Sequence, residues 1–231
     1  MCINGGNIID FERSSNGWGA TEGQRPLRHI PAHQHLFFEG DERTHVFVIQ
    51  SGWVKLYRTL IDGQRQVVGF CNGGSILGFE GSGDHVNACE AVTPVTVRAI
   101  PFNRIGDLCT RDPELAGQLL HQMGRQLGTA QSQLTTVGVQ SADQKLATFL
   151  LAFADYGANG KGEFDLPMRR TDMAEFLGLR LETVSRKLSD FQRRKWVRMI
   201  SLYRCQLLNR AAIEGLAEGG DATDFAAGAV H

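Results

Sequence analysis

The stretch LGLRLETVSRKL, residues 177–188, carries Glu182, Ser185 and Arg186 at i, i+3 and i+4, a spacing that puts three polar side chains on one face of a helix. Those residue types suit the edges of base pairs. Arginine can donate two hydrogen bonds to O6 and N7 of guanine, and a carboxylate can accept from the N4 amino group of cytosine. A helix that gripped only phosphates would gain nothing from Glu182, which repels them. Together with Leu181 in the same turn, these residues are the expected base readers. Glu182 is also spaced to hold Arg186 in its reading rotamer through an i,i+4 pair. Spacing alone leaves open a plain surface ion pair.

Charge supports a polyanion partner. Residues 167–210 hold eleven Lys/Arg and four Asp/Glu, a balance of +7, so in a chain of net charge −1 the remainder carries −8. A basic module joined to an acidic one predicts that one end alone meets the polyanion. The expected phosphate contacts are Arg169, Arg170, Arg180, Thr183, Lys187 and Arg194, with Arg193 and Lys195 beside them.

A helix-turn-helix would position these residues. In RTDMAEFLGLRLETVSRKLSDFQRRK, Thr171 is the expected cap of the first helix, Asp172 suits its positive end and Gly178 permits the turn. Ala174 then falls at the helix crossing, and Met173, Leu177, Leu179 and Val184 face inward. Lys187 occupies a position that is usually apolar, a role that the neighbouring Leu188 can fill. An ordinary helical hairpin is the alternative.

The rest of the chain supplies a frame for that motif. Residues 1–27, rich in Gly, Ser and Asn, are expected to be a flexible lead-in. Over 28–112, short apolar runs such as HVFVIQ and VTVRAI alternate with turn signals such as EGDE, DG and GSGD, which predicts a small β sandwich or barrel closing on a short helix at FNRIGDLCTR. Residues 113–140 are expected to form a helix of roughly 40 Å. Ala116, Leu120, Met123, Leu127, Ala130, Leu134 and Val137 repeat along it as a coiled-coil seam. Such a seam predicts a homodimer; the alternative is a helix lying on its own β domain, and Gly124, Gly128 and Gly138 weaken the helix. Residues 141–216 combine a helix ending at Gly157, one short strand in GEFDLPM, the two motif helices and two strands around a turn near Ser201. Residues 217–231 are expected to be a flexible tail, either inert or a degron.

No apolar run approaches the roughly 20 residues that span a bilayer, and the N-terminus lacks a secretory signal, so a cytoplasmic protein without membrane contact is expected. Cys2, Cys71, Cys89, Cys109 and Cys205 lie far apart with no Cys-x-x-Cys pair and read as buried or free thiols.

The chain resembles the transcription regulators of the cyclic-AMP receptor protein/FNR superfamily over about residues 28–215. LGLRLETVSRKL matches the E-x-x-S-R recognition helix of the FNR and FixK form, and GSILGFEGSGDHVNACEAVTPVTVRAIPF is similar to the FNR β-roll. The resemblance implies an α+β fold: an N-terminal β-roll, a cyclic-nucleotide-binding-like jelly roll, then a long dimerisation helix and a C-terminal winged helix-turn-helix. It implies that Glu182, Ser185 and Arg186 read TTGAT-like half-sites of a palindromic operator on double-stranded DNA, and that the loop around 80–85 contacts RNA polymerase. A transcription activator, not an enzyme, is expected.

Family members that bind cyclic nucleotides hold the phosphate with an arginine after the glycine-rich stretch, but no Lys or Arg occurs here between Arg65 and Arg98. Oxygen-sensing FNR proteins carry clustered N-terminal cysteines, whereas this lead-in has only Cys2. The pattern resembles the FixK subgroup, and no cofactor or metal is expected. Two further readings stand beside it. One is a haem-binding or redox-sensing repressor, with Cys71 or His85 as haem ligand or Cys205 as a peroxide-sensitive thiol in the wing; the second is a metal-dependent cupin-like enzyme using His33, His35 and Glu39.

Overall fold

Period-two patterning between turn residues builds the first of two units. The computed structural model describes residues 2–4, 7–9, 27–79, 83–113, 116–117, 119–120, 123–124 and 140–220. The first unit contains β1 (Cys2–Asn4), β2 (Asn7–Ile9), β3 (Arg28–Ile30), β4 (His35–Phe37), β5 (His45–Ser51), β6 (Trp53–Thr59), β7 (Arg65–Asn72), β8 (Ile76–Leu77), β9 (Ala88–Ala91) and β10 (Val95–Pro101), followed by α1 (Ile105–Arg111). One sheet runs β2-β1-β7-β6-β9-β4 and the other β3-β10-β5-β8. Phe37, Phe47, Ile49, Val54, Leu56, Leu77, Val95 and Val97 fill the core between them. The opposite face of β5 is buried too: Val46 and Val48 join Ile76, Ile100, Ile105, Leu108 and Leu119 in a second cluster under α1. This double burial explains why HVFVIQ reads as a continuous apolar run rather than an alternating one.

The lead-in, expected to lack structure, contributes β1 and β2, and β1 pairs antiparallel with β7 so that Cys2 lies opposite Cys71 in the strand register. Cys71 is disulfide-bonded, which corrects the reading of all five cysteines as thiols, while Cys109 and Cys205 are thiols as expected. Pairing across so long a sequence separation left no local spacing signal.

Residues 113, 116, 117, 119, 120, 123 and 124 are helical. Leu119 is buried, whereas the seam residues Leu120 and Met123 are 71% and 49% exposed. Leu127, Ala130, Leu134 and Val137 lie outside the described residues.

The second unit is built on α2 (Ala142–Gly157), whose start is closed by reciprocal hydrogen bonds: the Gln144 amide donates to Ser141 Oγ (3.2 Å) and the Ser141 amide to Gln144 Oε1 (2.7 Å). Leu146, Phe149, Leu150 and Phe153 form its buried stripe. Then come β11 (Glu163–Asp165), α3 (Arg170–Leu177), α4 (Leu181–Arg193), β12 (Val197–Ser201), β13 (Arg204–Leu207) and α5 (Arg210–Ala217), with the strands in the order β11-β13-β12. Phe149, Phe153, Phe164, Phe191 and Trp196 are its largest fully buried side chains. Among the described residues no helix is long and apolar enough to cross a membrane.

Phe191 is fully buried, with its ring centroid 5.4 Å from that of Trp196. Phe191→Ala is expected to cost the second unit about 3–5 kcal/mol, measured as a lowered urea midpoint followed by Trp196 fluorescence.

Candidate nucleic-acid interface

Apolar spacing decides which face of α4 points outward. Val184, Leu188 and Phe191 recur at i, i+4 and i+7 and are buried. Leu181, Glu182 and Arg186 are exposed on the other side, and Ser185 is half-buried between. The base-reading expectation thus falls on side chains that share the open side of one turn. Glu182 stands in the first turn of α4, whose Arg180 cap makes no side-chain cap bond. A carboxylate there also offsets the positive helix end, worth about 0.3–1 kcal/mol. The expected i,i+4 pair is absent: among the described residues no ion pair joins Glu182 to Arg186, although Asp190 pairs with both Arg193 and Arg194 nearby. An exposed pair gains only about 0.3–0.5 kcal/mol against the entropy of ordering two long side chains, so both heads stay available to a ligand.

The turn before α4 follows from Gly178, at φ 63° and ψ 40°, a left-handed conformation that favours glycine. The Leu179 amide then donates to Ala174 O at 3.0 Å. At the other end of α3 the cap is Arg169, not Thr171: the helix starts two residues earlier than expected, and the Arg169 amide donates to Asp172 Oδ2 at 3.0 Å. Asp172 is an N3 carboxylate reaching back, and it needs no hydroxyl at the cap.

α4 ends without glycine. Lys195 takes φ 58°, its amide donates to Gln192 O (2.9 Å), and the Trp196 amide donates to Phe191 O (3.0 Å). This is the Schellman pattern with a lysine in the left-handed position, accompanied by packing of Trp196 on Phe191. Lysine gives no sequence signal for that conformation; the apolar pair Phe191 and Trp196 flanking it was the available clue.

The expected phosphate contacts differ in how they are held. Arg169 and Arg180 are exposed, Arg170 and Thr183 half-buried. Arg193 and Arg194 bind Asp190, and the Arg194 guanidinium lies 5.0 Å above the Trp196 ring. Burial pushes the Asp190 carboxyl up, but hydrogen bonds and charge from the two arginines outweigh it and hold the group below the usual carboxylate range. Lys187 Nζ sits 2.6 Å from Asp143 Oδ2 in the first turn of α2. In the β12–β13 hairpin, Arg198 binds Gln206 and Arg204 binds Glu163, leaving Leu202 and Tyr203 exposed at the tip.

Cys205 points into the core of this unit, fully buried, and burial pushes its thiol up to about 12. The wing thiol expected to sense peroxide therefore has neither solvent access nor the thiolate that reacts. The residues considered as metal or haem ligands are likewise engaged by protein groups. Glu39 meets Arg58 and the Thr59 amide, His35 Nε2 lies 2.9 Å from Tyr57 Oη, and His33 stands beside Glu90. Cys71 is bonded, and His85 is stacked on Phe37 at 3.8 Å with burial holding its imidazole below the usual value. A cyclic phosphate does not fit either: residues 66–97 offer no cation, and Lys55 is held 3.2 Å from the buried Glu90.

Two family models match the chain: Cyclic nucleotide-binding domain over residues 27–112 and Crp-like helix-turn-helix domain over residues 144–216. The nitrogen fixation regulation protein FixK of Bradyrhizobium diazoefficiens is 34% identical over 192 residues, 82% of this chain and 81% of that one. The fumarate and nitrate reduction regulatory protein of Escherichia coli (strain K12) is 34% identical over 166 residues, 69% of this chain and 66% of that one. The solved structure of FixK2 from Bradyrhizobium japonicum superposes with a TM-score of 0.77 at 28% identity, covering 83% of this chain and 96% of that one.

A thiol with a pKa of about 12 is about one ten-thousandth thiolate at pH 8. Iodoacetamide at that pH is expected to leave Cys205 unmodified in the native protein and to alkylate it in urea, as read by peptide mass spectrometry.

Proposed function

Because this chain belongs to the CRP/FNR family of DNA-binding transcription regulators and is FixK-like within it, we propose that it is a cytoplasmic activator that binds a palindromic TTGAT-type operator as a homodimer. The observation that carries this reading is the open face of α4: Glu182 and Arg186 exposed and unpaired with each other on a turn whose opposite side is anchored by Val184 and Leu188. In this reading Arg186 donates to guanine, Glu182 accepts from cytosine, and Leu181 and Ser185 complete the contact. Arg169, Arg170, Arg180 and Thr183, nearest the start of the two helices, set register on the phosphates.

Symmetry follows from the seam. Leu120 and Met123 are large apolar side chains exposed on a helix, and a second copy of the same helix would bury them. Two recognition helices related by that axis would meet major grooves about 34 Å apart. The first unit would bring the loop around residues 80–85, of which 83–85 are described, to RNA polymerase.

Competition binding of a fluorescent inverted-repeat TTGAT duplex against its scrambled sequence tests the proposal: an operator preference is expected, and equal affinity for both refutes it. Arg186→Ala is expected to cost about 1–3 kcal/mol and to relax preference at one base pair, whereas Arg180→Ala weakens all duplexes alike and lowers the salt slope by about 1. Leu120→Asp is expected to dissociate the dimer in sedimentation while leaving the urea midpoint of each unit nearly unchanged, since this side chain is 71% exposed in the single chain.

A further inference from the structure

The first turn of α2 reaches both helices of the DNA-reading motif. Asp143 Oδ2 receives Lys187 Nζ of α4 at 2.6 Å, and Lys145 Nζ donates to the Leu177 carbonyl at the end of α3 at 3.2 Å. The Asp143–Lys187 pair is mostly enclosed, its side chains 21% and 27% exposed, and Asp143 Oδ1 is buried without a partner. Lys187 follows Arg186 directly and precedes the buried Leu188, so it stands on the flank between the open face and the packed stripe.

Packing alone does not determine the roll of α4 about its own axis. The contacts of Val184, Leu188 and Phe191 are non-directional and survive small rotations. A short charge-assisted hydrogen bond does not. A roll of about 10° moves a side-chain head lying about 6 Å from the helix axis by roughly 1 Å, enough to spoil paired hydrogen bonds to a base edge.

We infer that Asp143 and Lys187 are positioning residues for base reading: their ion pair, with the Lys145–Leu177 tie beside it, fixes the roll of α4 and so the aim of Glu182 and Arg186. Lys187 serves specificity through Asp143 and not affinity through phosphate. The inference rests on the proposed operator reading and separates from it in its test.

The sign of one substitution discriminates. On charge alone, Asp143→Asn removes a repulsive group, releases Lys187 and tightens every duplex. As a positioning change, it weakens the inverted-repeat operator about three- to thirtyfold with no loss on the scrambled duplex and an unchanged salt slope. Lys187→Met is expected to do the same, because a lysine that touches phosphate would weaken both duplexes and lower the slope by about 1. The exchanged pair, Asp143→Lys with Lys187→Asp, is expected to recover part of the operator preference. Melting midpoints of each variant guard against misfolding, and Asp143→Glu, which keeps the charge, is expected to keep operator preference. Operator affinity unchanged or tightened in Asp143→Asn, or a lowered salt slope in Lys187→Met, overturns the inference while the operator reading stands. A wild-type protein without operator preference overturns the functional reading and this inference with it.

Discussion

One-sided burial of α4 is the constraint on which the DNA-reading unit depends. Val184, Leu188 and Phe191 must leave water together, in a unit that also buries Phe149 and Phe153 of α2 and Trp196, whose ring packs on that of Phe191. Burying each such side chain contributes about 1.5–3 kcal/mol. That contribution dwarfs any exposed ion pair on the helix, so it decides which residues are presented outward. Glu182 and Arg186 face solvent because the opposite side of their helix has somewhere better to be. The unformed Glu182–Arg186 pair agrees with the same magnitudes: an exposed attraction of a few tenths of a kcal/mol does not hold two long side chains together.

The parts of this architecture legible in the sequence are those written in local periodicity. Glycine at 178, the i, i+4, i+7 stripe of α4 and the turn signals between the β runs are short-range patterns, and they placed the two helices of the motif and most strands within about two residues. What was not legible depends on contacts between distant residues. Asp143 and Lys187 meet across 44 positions, and nothing near either one announces the other. The pairing of β1 with β7 is equally long-range. The start of α3 lies two residues before the expected one because Asp172, reaching back to the Arg169 amide, closes the helix end in place of the Thr171 hydroxyl.

The β-roll is a cyclic-nucleotide-binding fold that holds a cluster of charged groups bound to one another. Lys55 and Glu90 are both 7% exposed and paired at 3.2 Å, with His33, His35 and Arg65 approaching the same carboxylate. Removing one partner of such a cluster would strand a buried charge at a cost of about 3–5 kcal/mol. Charge is therefore used to hold strands β4, β6, β7 and β9 in register, not held ready for a ligand phosphate. A family match over residues 27–112 and the absence of a phosphate-binding cation over 66–97 are compatible once fold and ligand are separated: the sheet packing needs apolar inward faces, and the ligand needs a cation that packing does not supply.

The basic surplus of the second unit invites the view that every cation there serves affinity, and the geometry argues otherwise. Of the cations near α4, Arg193 and Arg194 are bound to Asp190 and Lys187 to Asp143. Affinity for phosphates is indifferent to sequence and weakens steeply with salt. A regulator that must distinguish its operator from a large excess of other DNA gains more from side chains held in a fixed attitude than from additional positive charge. On the proposed base reading, acidic partners for these three cations would lower non-specific attraction and stiffen the presented face at the same time. On that reading, specificity would rest on the scaffold behind α4 as much as on the residues that the helix presents.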